Sequence, residues 1–129
     1  MEVINEIVKS WGWTGIEPEG IVDENDFGNL IIKDVVGRLW RLCPEDVYCE
    51  VVAENIDEYE KLTSDPEFQE DWEMRTLVDQ ATNKYGPLQS GYKFYMVVPG
   101  VLGGEYEIGN INTLSLIELI RISGDIGRQ

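Results

Sequence analysis

The sequence predicts an α+β fold in one domain, residues 1–129, with a mainly antiparallel sheet flanked by about three to four helices. Strand-like and helix-like segments occur in separate clusters, and not in the βαβ alternation that is typical of parallel sheets. Two of the strand-like segments are joined by a short turn, which indicates an antiparallel hairpin. With 129 residues, 43% of them hydrophobic, the chain is long enough to bury a core.

The first predicted element is a helix that ends at Gly12. Its apolar residues recur at spacings close to 3.6, as on the buried face of a helix. They are Val3, Ile4, Ile7, Val8 and Trp11. A polar loop is predicted next, through Pro18, Gly20 and the acidic cluster 23–26.

Three strands are predicted in the following segment. Residues 30–32 and 38–42 are predicted to form two strands, and residues 34–37 the turn between them. Residues 47–53 form a third β-rich segment. Because the segments 30–32 and 38–42 are joined by a short turn, they are expected to pair as an antiparallel hairpin.

Helices are predicted after these strands. Asn55 is a candidate N-cap for a short helix through Leu62. A longer helix has Asp65 at its N-cap and Pro66 at its first position, and the pair Gly86-Pro87 ends it. Its core face is assigned to Phe68, Trp72, Leu77, Val78 and Ala81.

The C-terminal third is predicted to add two strands and one helix. Residues 92–98 form a strand bounded by Gly91 and Pro99, and residues 106–108 form a short one. Residues 115–122 belong to the last helix, which is predicted to begin near Asn112 or Thr113 and to stop at Gly124 as its C′ residue.

Charge is the strongest physical indication of function. The chain has 25 acidic and 10 basic residues, a formal net charge of −15. Nucleic acid is an unsuitable ligand because phosphate binding requires clustered Lys and Arg. An acidic surface attracts a basic partner, although the same excess of carboxylates also serves solubility alone.

The carboxylates are concentrated between residues 45 and 73, where twelve acids accompany one base, Lys61. Helical spacing places several of them on shared sides, because residues three or four apart are neighbours on a helix. These predicted partner-binding acids are Glu54, Asp57, Glu58, Glu67, Glu70 and Asp71. We call the segment 54–73 the acidic face. An ordinary solvated surface remains the alternative interpretation.

A catalytic or metal site is not predicted. The chain has no histidine, which excludes imidazole bases and histidine-ligated metals. Many carboxylates are present, but nothing fixes two of them around an aromatic cleft as glycoside hydrolysis requires. Residues 23–34 imitate a calcium loop, yet Phe27 and Asp34 stand where an oxygen ligand and a bidentate Glu are needed. Cys43 and Cys49 are expected to be reduced thiols, and no cofactor is expected.

Two further features have open interpretations. The pair Gly103-Gly104 indicates either a tight chain reversal or a point where a partner approaches closely. Trp11 and Trp13 flank the end of the first helix, where they either pack in the core or serve as exposed binding anchors.

Several segments, in order, carry a resemblance to a known family. They are residues 26–34, 38–45, 67–72, 85–88, the segment VPGVLGGEY, Asn110 and residues 123–126. In this order the chain resembles the C-terminal domain of immunity proteins that protect bacteria against toxins delivered by type VI secretion, notably DNase toxins. The resemblance covers residues 13 to 129, after a short helical lead of residues 1–12.

The resemblance implies a non-catalytic protein that binds a cognate toxin in the cytoplasm. The acidic start of the chain and the lack of a long apolar run agree with a protein that has no signal peptide or membrane span. The acidic face is the expected contact, with Gly103, Gly104 and Glu105 as a second one. Two alternatives are an intracellular adaptor domain unrelated to toxins and a carboxylate-based hydrolase.

Overall fold

The computed structural model describes residues 2–129. Helix α1 (Glu2–Trp11) precedes four strands, which are β1 (Pro18–Glu24), β2 (Leu30–Asp34), β3 (Leu39–Cys43) and β4 (Tyr48–Ala53). They form one antiparallel sheet in the order β1-β2-β3-β4. The predicted hairpin and third strand are confirmed.

Strand β1 corrects the prediction of a polar loop over residues 18–26. It pairs with β2 at the edge of the sheet, and its register shifts between Pro18 and Gly20 and again between Ile21 and Asp23. Bulges of this kind break the alternation of apolar and polar residues that marks a strand in sequence. The acidic residues are tolerated because most of this edge strand is exposed.

The helices number five among residues 2–129: after α1 come α2 (Ile56–Thr63), α3 (Pro66–Glu73), α4 (Arg75–Tyr85) and α5 (Leu116–Arg128). The predicted caps of α2 and α3 are confirmed. The Asn55 side chain accepts from the Glu58 amide at 2.9 Å, and the Asp65 side chain accepts from the Glu67 amide at 3.0 Å.

The single long helix predicted over residues 65–85 is wrong, because the chain breaks at Met74. This residue has left-handed angles, φ 47° and ψ 41°, and it ends α3 and starts α4. Trp72 on α3 and Leu77 on α4 pack in different apolar clusters. A straight helix could not direct both side chains into these sites.

Two more strands, β5 (Tyr92–Met96) and β6 (Ile111–Ser115), form a separate antiparallel pair. The strand predicted over residues 106–108 is therefore misplaced, and residues 108–110 form a 3-10 turn instead. The strand predicted to reach residue 98 ends at Met96. Helix α5 begins after Ser115, whose hydroxyl accepts from the Glu118 amide at 3.2 Å.

Gly124 lies inside α5, although the sequence predicted it as the stop. The reason is packing against α1. A Cβ atom at Gly124 would lie 2.4 Å from the carbonyl oxygen of Ser10. Glycine is needed here because two helix backbones approach closely, and not because the helix ends.

The core is divided into three clusters around the two sheets. On one face of the four-stranded sheet, Ile32 packs with α1 and α5, while its neighbour Ile31 packs with α2 and α3 on the other. The third cluster joins α4 to the strand pair around Phe27 and Phe94. Trp11 is fully buried in the first cluster.

Candidate functional site

A cleft of about 840 Å³ lies between the β3–β4 turn, residues 44–47, and helices α3 and α4. We call it the acidic cleft. Six of its lining residues are carboxylic acids and two are arginines, Arg41 and Arg75. The acids are Glu45, Asp46, Glu67, Glu70, Asp71 and Glu73. The lining therefore has an excess of negative charge.

Arg41 does not offset this excess toward solvent, because it is buried and already paired. Its Nη1 donates to Asp71 Oδ2 at 2.7 Å and its Nε donates to Asn29 Oδ1 at 3.0 Å. The guanidinium also lies over the ring of Trp72, 5.2 Å from its centroid. The Arg41–Asp71 ion pair fixes α3 to the sheet. Among residues 2–129, Glu67 and Glu70 form no ion pair.

Glu45 forms the floor of the cleft at the β3–β4 turn. Both of its carboxyl oxygens accept from Asn29 Nδ2, at 2.7 and 3.0 Å, and the side chain is buried. Burial raises the pKa of Glu45, although hydrogen bonds from its own backbone, Asn29 and Cys43 oppose the shift. Burial also raises the pKa of the Cys43 thiol beside it, so this sulfur remains protonated and unreactive.

Backbone strain is concentrated beside this cleft. Within residues 2–129, two residues other than glycine have positive φ, namely Val47 at 55° and Met74 at 47°. Met74 lines the cleft, and Val47 lies between the lining residues Asp46 and Tyr48. Such conformations cost about 1–3 kcal/mol each and are enriched at functional sites.

The structure divides the predicted acidic face into two parts. Glu67, Glu70 and Asp71 on α3 line the cleft. The other three acids lie on the α2 side and do not line it; they are Glu54, Asp57 and Glu58.

The α2 acids have a local structural role. The Glu58 carboxylate accepts from the Glu54 amide at 3.2 Å, while Asn55 accepts from the Glu58 amide. Asn55 is the N-cap, the Glu58 carboxylate reaches back to the amide of the residue before it, and Asp57 adds negative charge to the first turn of the helix. The spacing that predicted a binding surface here thus also stabilises the start of α2.

Gly103, Gly104 and Glu105 lie in residues 97–106, which we call the aliphatic loop. The loop borders the acidic cleft at two points. Its Gly100 amide donates to the Glu45 carbonyl at 2.7 Å, and Tyr106 lines the cleft. Burial, together with a hydrogen bond to Asp46, raises the pKa of the Tyr106 hydroxyl.

Gly103 and Gly104 serve different purposes in the loop. Gly103 has φ 90° and ends the 3-10 turn Gly100–Leu102. At Gly104, a Cβ atom would lie 1.7 Å from the Val98 carbonyl oxygen, because the chain folds back on itself. Both observations show that the two glycines are needed for the tight chain reversal of the loop itself.

Sequence reasoning missed three parts of this site: the Arg41–Asn29–Glu45 network, the strain at Val47 and the exposed aliphatic residues of the loop. An arginine within the apolar strand Leu39–Cys43 was a usable signal for a buried ion pair.

Of the two tryptophans at the end of α1, Trp11 is buried, whereas the Trp13 side chain is 46% exposed. The two rings stack with their centroids 5.6 Å apart.

Other site types have no support in residues 2–129. No group of three or more Cys, Asp or Glu side chains there is arranged to hold a metal ion. Among the helices of the same residues, none has the length and apolar character needed to cross a bilayer.

Comparison with solved structures gives a match to the crystal structure of Atu4351 from Agrobacterium tumefaciens. The TM-score is 0.55 at 14% sequence identity, over 79% of this chain and 52% of that one. At this identity the likeness shows a shared fold. The present chain spans about half the length of that structure.

No curated protein matches the sequence significantly. A family model described as "T6SS immunity protein Tdi1, C-terminal" matches residues 53–127. The match covers more than half of the chain and includes α2 through almost all of α5, with one wall of the acidic cleft and the whole aliphatic loop. The chain therefore belongs to the family of type VI secretion immunity proteins defined by the C-terminal region of Tdi1.

Proposed function

We propose that this protein binds and neutralises a cognate toxin delivered by type VI secretion, without catalysis of its own, in the cytoplasm of the producing cell. Residues 1–129 act together as one immunity-type domain. The observation that carries the proposal is the family match over residues 53–127. The acidic cleft supports it, because that match includes α3 and α4, which form one wall of the cleft.

The proposed mechanism is steric and electrostatic occlusion of a DNase. A DNA-cleaving toxin needs a basic surface to hold the phosphate backbone. A partner with a net charge of −15 is attracted to that surface and can cover it without contacting the reacting atoms. The proposed contacts are Glu67, Glu70 and Asp71 in the cleft and Gly103, Gly104 and Glu105 in the loop. On the α2 side, Glu54, Asp57 and Glu58 extend the same negative surface.

The direct test is co-purification of the protein with the product of its neighbouring gene, followed by titration of the complex across salt concentrations. We expect a tight, salt-sensitive complex that abolishes the toxicity of the neighbour. If the neighbour does not bind, the immunity proposal is wrong for this chain and an intracellular adaptor role becomes the better hypothesis.

The electrostatic part is tested by the double variant Glu67→Lys/Glu70→Lys. Both side chains are exposed and form no ion pair with the other residues that the structure describes, so folding should be preserved. Asp71 is left intact because its reversal would also unpair the buried Arg41. We expect association at low salt to slow about tenfold or more, with a weaker salt dependence.

The control is Glu17→Lys/Glu19→Lys, which changes the net charge by the same amount. Glu19 has a solvent-exposed ion pair with Lys33 at 3.4 Å, whose loss should cost little stability. These residues lie beside Asp34, at the end of the sheet opposite the β3–β4 turn. Equal slowing by both variants would show that total charge matters and the cleft does not. An unchanged affinity and salt dependence for the α3 variant would refute occlusion by the acidic cleft.

A further inference from the structure

The aliphatic loop exposes an unusual amount of apolar surface. Of the fourteen large hydrophobic residues that are exposed within residues 2–129, five lie in this ten-residue segment. They are Val97, Val98, Val101, Leu102 and Tyr106, with exposures of 43% to 62%. Single exposed apolar residues are ordinary, but a contiguous group beside charged residues is typical of an interaction site.

The loop is also held in one conformation by its own hydrogen bonds. Asn110 is central, because its side chain accepts from the Val98 amide at 2.9 Å and donates to the carbonyls of Val98 and Glu105. The Gly104 amide donates to the Pro99 carbonyl at 3.0 Å, which closes the reversal. A loop ordered in advance loses little entropy when a partner covers it.

From these observations we propose that the aliphatic loop is the apolar centre of the toxin interface, with Val101 and Leu102 as its principal anchors. The partner surface that fits it is an apolar depression bordered by Lys and Arg side chains. This inference rests on the proposed function and adds to it the chemistry of the partner's surface.

Charge identifies the occupant as a basic protein rather than a second copy of this chain. The loop borders the acidic cleft through Gly100 and Tyr106, so a molecule that covers it also faces the carboxylates of α3. A second copy has the same charge of −15 and would bring like charges together. A basic rim around an apolar depression complements both features.

The two parts of the interface should act on different rates. Exposed carboxylates of the cleft accelerate the encounter with a basic surface, whereas burial of Val101 and Leu102 opposes dissociation. This division separates the loop proposal from the electrostatic one, because each predicts a change in a different rate constant.

The test is the variant Val101→Ser/Leu102→Ser, measured by binding kinetics against the neighbouring gene product in catalytically inactive form. Both residues are exposed in a 3-10 turn, so their replacement should leave folding unchanged. We expect dissociation about 30-fold faster or more, with the association rate and salt dependence retained.

The matched control is Val35→Ser/Val36→Ser. This apolar pair is similarly exposed, at 55% and 72%, and lies in the β2–β3 turn at the other end of β3. We expect its dissociation rate to stay within about twofold of wild type. A loop variant that dissociates no faster than this control refutes the loop proposal while leaving immunity intact.

Two other outcomes also overturn it. If the wild-type protein does not bind the neighbouring product, the proposed function fails and the loop proposal fails with it. If the wild-type protein sediments as a dimer that Val101→Ser/Leu102→Ser converts to a monomer, the loop is a self-association surface instead.

Discussion

The two turns on either side of β3 each contain a buried carboxylate, and their pKa values shift in opposite directions. In the β2–β3 turn, burial of Asp34 would raise its pKa, but hydrogen bonds from Trp40 and from the backbone and side chain around Arg38 lower it. In the β3–β4 turn, burial dominates and the pKa of Glu45 is raised.

The number of donors explains the difference. Asp34 accepts from the amides of Val36 and Arg38, from Arg38 Nε and from Trp40 Nε1, at 2.8 to 3.0 Å. Glu45 has fewer donors, because both of its side-chain contacts at 2.7 and 3.0 Å come from one Asn29 amide and only its own backbone and Cys43 add to them. The first turn satisfies its charge internally, whereas the second retains strain and unbalanced charge where the cleft opens. The contrast separates a turn that stabilises the fold from one suited to binding.

The largest expected effect is on stability when the first turn is broken. Asp34→Ala leaves the buried Trp40 indole and the turn amides without an acceptor. We expect the free energy of unfolding to fall by about 3 kcal/mol. Urea unfolding measures it, and a loss below about 1 kcal/mol would contradict the assigned role of Asp34.

A change of pH should alter the free energy of unfolding less than Asp34→Ala does, since protonation of a carboxylate weakens its hydrogen bonds without removing the side chain. The lowered pKa of Asp34 means that its contribution is present above the unfolded value of about 3.9 and is lost as the pH falls through the folded value. For Glu45 the sign is reversed. Stability should decline as the pH rises from the unfolded value of about 4.3 toward the raised folded value.

To test both pKa shifts, the free energy of unfolding is measured as a function of pH for the wild-type protein and for Glu45→Gln. The variant cannot ionise at this position, so its curve should lack the Glu45 decline while retaining the loss in acid. Parallel curves throughout the range would contradict the raised pKa.

The smallest expected effect compares two glycines, Gly37 in the β2–β3 turn and Gly103 in the aliphatic loop. Their φ angles are 93° and 90°, and neither has a neighbouring atom where a Cβ would stand. Replacement of either by Ala should therefore cost a similar amount, about 1 kcal/mol. Only Gly103→Ala should also weaken toxin binding, and equal binding by both variants would argue against a role for the loop.

Local signals in the sequence were sufficient for the hairpin, for the first helix and for the caps at Asn55 and Asp65. In each case the residues that determine the structure are neighbours along the chain. Met74 and Gly124 could not be interpreted in this way. Methionine is a good helix former, and the break at Met74 follows from packing against separate clusters. The need for glycine at position 124 comes from Ser10, far away in sequence.

The candidate site was predictable to a similar extent. The excess of carboxylates on α3 follows directly from composition and helical spacing. The Arg41–Asp71 pair joins a strand to a helix across thirty positions, and nothing in the local pattern specifies its partner. Val97 and Val98 appeared to extend the strand before them. Only the fold shows that the chain leaves the sheet at Met96 and exposes them.

The contact between α1 and α5 has a consequence for biosynthesis. The indole of Trp11 donates to the Ile120 carbonyl, and Glu6 pairs with Arg121, so the first helix is completed by the last one. During translation, the sheet can cover part of Ile7 and Trp11, but the cover that Leu116 and Ile120 supply is missing until α5 has been made. The central sheet and α2 to α4 can form while the chain is still attached to the ribosome, but full closure has to await the end of α5. A nascent chain stalled before residue 116 would therefore expose the part of α1 that α5 covers to chaperones and proteases.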